Sequence, residues 1–172
     1  MVFLFNTHTH LYSPEYCWEM YSKIYFGLQE TLGDEYVVVL RTHYFIVNVL
    51  DLSAYQGFVF NASAYDDIAH LYLIADLMIT DYSSVFFDYA NLRRPILFFM
   101  YDIEKYRDAL RGFYIDIEEE LPGPILMTSD EVIASVIRQL LCLYTGNTVF
   151  QIRCPFKIWN NYTYLCHLLT PN

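Results

Sequence analysis

The sequence predicts an α/β fold built on a parallel sheet with flanking helices. Three observations lead there. Short apolar runs alternate along the chain with segments of helical period. Tyr36-Val37-Val38-Val39-Leu40 and Ile96-Leu97-Phe98-Phe99-Met100 are apolar without alternation, as in strands covered on both faces of a parallel sheet. Residues 76–89 pass from an apolar run through a small polar turn into a helical segment, a strand-to-helix junction of the kind where open sheets bind ligands.

The totals set bounds on the function. A length of 172 residues fits one domain. With 55% hydrophobic and 19% aromatic residues, the chain can fill a sizeable core. The net charge of −10 excludes the basic face that nucleic acid or an anionic membrane requires. An anionic ligand must therefore be held by local donors against the overall field. No apolar run reaches the ~18 residues of a membrane span, and residues 1–5 lack a signal peptide's basic start. Cys17, Cys142, Cys154 and Cys166 show no zinc spacing and read as reduced thiols, with a disulfide among the last three left open.

In chain order, Val2-Phe3-Leu4-Phe5 is a first strand and residues 6–10 a loop. His8 and His10 in that loop either contribute to a metal site or are plain polar residues, with no partner set in view. Ser13 and Pro14 cap and open a helix. Tyr16, Met20, Ile24 and Leu28 are expected on its buried face, and Gly33 in a left-handed conformation at its end. After the second strand come Arg41 and His43, placed where a functional group sits. An ion pair for Arg41 and a half-buried imidazole for His43 are the alternatives.

Residues 48–56 form a loop or short turn, and 58–60 a strand. Ser63 is expected to cap the next helix, with Asp66 at its third position and Ile68, Leu71, Tyr72 and Ala75 inward. Leu77-Met78-Ile79 is a buried strand, and the hydroxyls of Thr80, Ser83 and Ser84 follow it. They either cap the next helix or cradle a phosphate with its first N–H groups and dipole. Arg93-Arg94-Pro95 closes that helix before the next strand at 96–100. Asp102 is expected to cap a short helix. Residues 121–124 are a rigid turn, and Thr128 to Glu131 a capping box that starts a helix through Leu141. The expected partition is a Rossmann-like lobe over 1–143 and a packed tail over 144–172.

Several of these stretches together resemble one family. They are Leu40-Arg41-Thr42-His43-Tyr44, Tyr65-Asp66-Asp67-Ile68, Leu71-Tyr72-Leu73-Ile74-Ala75-Asp76 and Ile79-Thr80-Asp81-Tyr82-Ser83-Ser84-Val85-Phe86-Phe87-Asp88-Tyr89-Ala90. Arg94-Pro95-Ile96-Leu97-Phe98-Phe99, Tyr101-Asp102, Tyr106-Arg107, Arg111-Gly112-Phe113-Tyr114 and Pro122-Gly123-Pro124 complete the series. In this order they resemble the CDP-glycerol glycerophosphotransferases of teichoic acid synthesis, over about 36–140. Two ends depart from the family pattern. Asn6-Thr7-His8-Thr9-His10 stands where a Pro-Thr-Trp-Arg type motif is usual, and no Asp-Gly-x-Ala type motif follows Thr145.

The resemblance implies the nucleotide-donor lobe of a two-lobed GT-B fold, specifically its C-terminal lobe. It implies transfer of glycerol phosphate from CDP-glycerol to a lipid-linked teichoic acid acceptor, with no metal and no cofactor. It also implies a cytoplasmic protein, peripheral at the inner face of the plasma membrane through regions outside this chain. The acceptor lobe is expected elsewhere, upstream or on another chain, so that the lobe alone binds without turnover. A CDP-ribitol or nucleotide-sugar transferase lobe is the alternative. The implied substrate contacts are Arg41, Thr80, Asp81, Ser83, Ser84, Asp88 and Arg111. Arg111 would clamp a phosphate, and Asp88 would orient a hydroxyl or pair with Arg94. His43 is the catalytic candidate, as a base or as a phosphate contact.

Overall fold

The computed structural model of the chain describes residues 2–7, 13–42, 50–103 and 121–145. Six parallel strands form one sheet: β1 (Val2–Thr7), β2 (Val37–Thr42), β3 (Val59–Asn61), β4 (Leu77–Thr80), β5 (Ile96–Phe99) and β6 (Ile125–Leu126). Their order is β3-β2-β1-β4-β5-β6, that of a doubly wound Rossmann sheet. The described helices are α1 (Pro14–Leu32), α2 (Ile68–Ile74), α3 (Val85–Ala90) and α4 (Ser129–Thr145). The expected α/β class with flanking helices is therefore what the chain adopts.

Alternation along the strands divides the core into two layers. Phe3, Phe5, Val38, Leu40, Ile79 and Phe99 face α1 and α4. Leu4, Val39, Met78, Ile96 and Phe98 face α2 and α3. This two-sided burial explains the unbroken apolar runs. Each fully buried large apolar side chain contributes roughly 1.5–3 kcal/mol, so both layers are needed to hold the central strands.

Several local expectations hold. Ser13 accepts from the Tyr16 N–H at 3.3 Å, with proline at the start of α1. The capping box at α4 closes in both directions: Thr128 Oγ1 accepts from the Glu131 N–H, and Glu131 Oε2 accepts from the N–H groups of Met127 and Thr128.

Others are corrected. The buried face of α1 is Cys17, Tyr21, Ile24, Tyr25 and Leu28, while Tyr16 is 41% exposed and Met20 lies at the margin. A stripe at intervals of four drifts around a helix of 3.6 residues per turn. Gly33 is right-handed, at φ −62°. A side chain there would stand 2.5 Å from the Gln29 carbonyl oxygen, so close backbone approach rather than handedness explains the glycine. Ser63 does not cap α2, because Asp67 does, through the Ala69 N–H. Residues 125–126, read as following a turn, add a sixth strand. α4 spans Ser129–Thr145. His8, His10, residues 104–120, and the tail beyond Thr145 lie outside the described residues. Among the described residues, no helix is long and apolar enough to cross a membrane.

Candidate functional site

The sheet order fixes where a ligand can sit. β1 leads toward β2 and β3 on one side, and β4 leads toward β5 and β6 on the other. The connections leave in opposite directions, which opens a crevice at the carboxyl ends of β1 and β4. The last register pair of these strands is Asn6 with Thr80. The hydroxyl-bearing turn at 80–84 therefore begins at the mouth of the crevice.

The turn is shaped from within. Asp81 is 2% exposed, and its Oδ1 accepts the Ser83 N–H at 3.0 Å. This Asx-type bond bends the chain from strand toward helix. The buried Asp81 carboxylate thus shapes the turn. Tyr82 anchors the turn laterally, donating its hydroxyl to Asp102 Oδ1 at 2.6 Å. Asp102, buried at the end of β5, is thus a tether for Tyr82.

The capping alternative for the serines does not hold for Ser84. It occupies the cap position of α3, but its side chain makes no cap hydrogen bond. Ser84 is exposed and Ser83 half-buried, so both hydroxyls stand at the surface of the turn. α3 is only six residues long, so its dipole is small, and the N–H groups of its first turn matter more than the summed field.

Thr80 differs from the serines. Its side chain is wholly buried, and its Oγ1 has no hydrogen-bond partner among the described residues. Alternation puts it on the same face as Met78, beneath the turn. Asp88 is exposed on α3. Arg94 directs Nη1 to the carbonyl oxygens of Tyr72, Leu73 and Ala75, which closes the carboxyl end of α2.

On the other side of the crevice, Arg41 donates from Nη1 to the Tyr65 carbonyl at 2.5 Å. Ser63 accepts the Thr42 N–H at 3.1 Å, and its hydroxyl lies 3.3 Å from Thr42 Oγ1. Asn61 accepts the Ser63 N–H. Together these bonds knit the loop after β3 to the exit of β2, the point from which the chain continues to His43. Sequence periodicity carries no signal for such a contact between distant segments. His43 and Arg111 lie outside the described residues. Among the candidates, Thr80, Asp81, Ser83, Ser84 and Asp88 therefore gather at the β4–α3 junction, and Arg41 stands across β1 from them.

At the start of α1, Cys17 Sγ and the Tyr101 hydroxyl lie 3.3 Å apart. Burial pushes the Tyr101 phenol far above its ordinary range, helped by the neighbouring Tyr21 and Cys17. Cys17 is buried and forms no disulfide among the described residues.

Comparison with known proteins agrees with this architecture. The teichoic acid poly(glycerol phosphate) polymerase of Bacillus subtilis is 56% identical over 63% of this chain, which is 15% of the polymerase. The protein of the same name from Staphylococcus epidermidis is 57% identical over 58% of the chain and 14% of its own length. A teichoic acid poly(ribitol-phosphate) polymerase from Bacillus spizizenii is 40% identical over 65% of the chain and 18% of that protein. The chain therefore spans less than a fifth of these relatives. The structure of the wall teichoic acid polymerase TagF superposes with a TM-score of 0.70 at 45% identity, covering 78% of this chain and 33% of that one. A histidine-to-asparagine variant of TagF soaked with CDPG gives 0.65 at 42% identity, with 78% and 32% covered. The sequence model of CDP-glycerol:poly(glycerophosphate) glycerophosphotransferases matches residues 24–141, beginning within α1 rather than at Tyr36. With well over half its length matched, the chain belongs to that glycerophosphotransferase family.

Proposed function

We propose that this chain is the donor-binding lobe of a glycerophosphotransferase that moves glycerol phosphate from CDP-glycerol to a lipid-linked teichoic acid acceptor. The observation that carries the reading is the β4–α3 turn. It opens at the sheet's switch point with the Ser84 hydroxyl not engaged in capping. The diphosphate rests on Ser83, Ser84 and the N–H groups that follow them. Asp81 and Tyr82 hold that surface in shape, and Thr80 supports it from below. The TagF variant soaked with CDPG supports a CDP-linked donor. The greater identity to glycerol-phosphate than to ribitol-phosphate polymerases favours glycerol over ribitol.

In the reaction, a terminal glycerol hydroxyl of the acceptor attacks the β-phosphorus. The new O–P bond forms as the bond to the bridging oxygen breaks, and CMP leaves with that electron pair. The attacking hydroxyl gives up its proton, for which His43 is the assigned base, with contact to the leaving phosphate as its other role. Arg41 and Arg111 supply positive charge near the phosphates. The protein's share is positioning and charge stabilisation, as in phosphoryl transfer generally. Membrane association would arise through the lipid-linked acceptor and through the larger protein.

Calorimetric titration with CDP-glycerol, CDP-ribitol, UDP-glucose and CMP tests the reading. CDP-glycerol should bind most tightly. Ser83→Ala with Ser84→Ala should weaken it by at least about tenfold, since hydrogen bonds to charged groups contribute about 1.5–3 kcal/mol each. Unchanged affinity in the double variant would remove the serines from the site. A preference for UDP-glucose would favour a nucleotide-sugar transferase.

A further inference from the structure

The two residues that follow Met100 reach to opposite faces of the sheet, continuing the alternation of β5. Tyr101 turns to the α1 layer. Its ring meets those of Phe99 and Tyr16 with centroids 5.0 and 6.3 Å apart, and its hydroxyl lies 3.3 Å from Cys17 Sγ. Asp102 turns the other way, and its Oδ1 accepts the Tyr82 hydroxyl at 2.6 Å. That length is in the range of charge-assisted bonds from a hydroxyl to a carboxylate. Asp102 is 5% exposed. The backbone around it is held as well. The Met100 N–H donates to the Leu126 carbonyl at 2.8 Å, and the Ile103 N–H closes back on the Met100 carbonyl at 3.2 Å. The acceptor that Tyr82 meets is therefore a fixed point on the sheet.

We propose that Asp102 is a positioning residue for the donor's diphosphate, acting through Tyr82. The inference rests on the 80–84 turn being the diphosphate site, and extends that site to a buried residue beyond the turn. The bond from the Ser83 N–H to Asp81 Oδ1 is internal to the turn. It sets the bend of the chain but not the angle at which the bend stands over the sheet. Tyr82 lies between those two residues and reaches out to the exit of β5. β5 runs beside β4, with Phe98 the register partner of Thr80. A tie to that neighbour fixes the tilt of the turn, and with it the directions of Ser83, Ser84 and the N–H groups that follow. A diphosphate held by several donors at once needs them preset, because each one that must be ordered on binding subtracts from affinity.

Titration of the full chain with inorganic pyrophosphate and CDP-glycerol, with thermal unfolding of each variant, tests the assignment. Asp102→Ala and Tyr82→Phe should each raise both Kd values by about tenfold, the scale expected when a binding group is misplaced rather than removed. Either variant serves if the other folds poorly. Asp102→Asn keeps an oxygen that accepts the Tyr82 hydroxyl, and should bind within about threefold of the parent. The double variant of Asp102→Ala with Tyr82→Phe should bind no more weakly than the weaker single one, since both changes cut the same link. Tyr101→Phe, on the opposite face, should leave both affinities unchanged. Additive losses in the double variant would overturn action through Tyr82, and an equal loss in Tyr101→Phe would show general loosening of the β5 exit instead. Lowered stability with parent-like affinity in Asp102→Ala and Tyr82→Phe would make the bond merely structural. If Ser83→Ala with Ser84→Ala still weakened binding in that case, the diphosphate site would stand without Asp102. If the serine variant also bound like the parent, both readings would fall.

Discussion

At the scale of single residues, the turn at 80–84 separates hydroxyls that look alike in sequence. Ser83 and Ser84 reach its surface, whereas Thr80 is fully buried with no hydrogen-bond partner among the described residues. A buried hydroxyl without a partner costs free energy that an isosteric methyl group does not. Thr80→Val should therefore leave the unfolding temperature unchanged or raise it, by up to about 1 kcal/mol of stability, and should leave CDP-glycerol affinity within about twofold. Thermal unfolding and titration of the one variant check both. A clear loss of affinity with intact stability would put Thr80 in contact with the donor. The sequence revealed this junction because small polar residues between a strand and a helix are unusual. It could not rank the hydroxyls, since which face of β4 each occupies depends on where the strand ends. Ser63 was misread for a related reason. Its spacing to Asp66 imitates a capping box, but its partner, Thr42, lies on another strand.

At the scale of elements, long segments were legible and short ones were not. α1 and α4 carry their own caps and apolar stripes. β6 has two residues, and the parallel pairing with β5 that creates it is a tertiary fact. Its register depends on Gly123. A side chain there would collide with the Ile96 carbonyl oxygen, and Pro124 next to it accepts the Phe98 N–H at 3.0 Å. Because the obstacle is backbone within a central strand, it cannot rotate away. Gly123→Ala should destabilise the chain by about 1–3 kcal/mol, the range for forcing extra volume into a packed site, with a matching fall in the denaturant midpoint. Parent-like stability would mean that the 121–124 segment does not lie against β5. The contact lies at the amino end of β5, where Ile96 pairs with Met78, whereas the 80–84 turn begins at the carboxyl end of β4, so nucleotide affinity should persist wherever the variant is folded.

At the scale of the whole molecule, alternation of strand and helix was enough to give a parallel sheet. The strand order was not readable from it, since a run such as Leu77-Met78-Ile79 fits any central position. The order matters for function because it brings Asn6 beside Thr80 and sets the crevice between β1 and β4. The aromatic wealth evident in the composition also acquires a physical consequence. Burial raises the phenol pKa of Tyr25, Tyr55, Tyr89 and Tyr101. A phenol is neutral when protonated, so the folded state holds these protons more tightly than the unfolded chain, in which tyrosine titrates near roughly 10. Their contribution to stability is complete below that pH and falls as pH rises through the higher folded values, because the unfolded state then binds fewer protons. The denaturant midpoint should accordingly be level toward neutral pH and decline above about pH 10. Phenolate absorbance should rise together with the loss of circular dichroism. Phenolate formation by all tyrosines near the ordinary value, with the circular dichroism intact, would contradict the aromatic packing on the α1 side of the sheet.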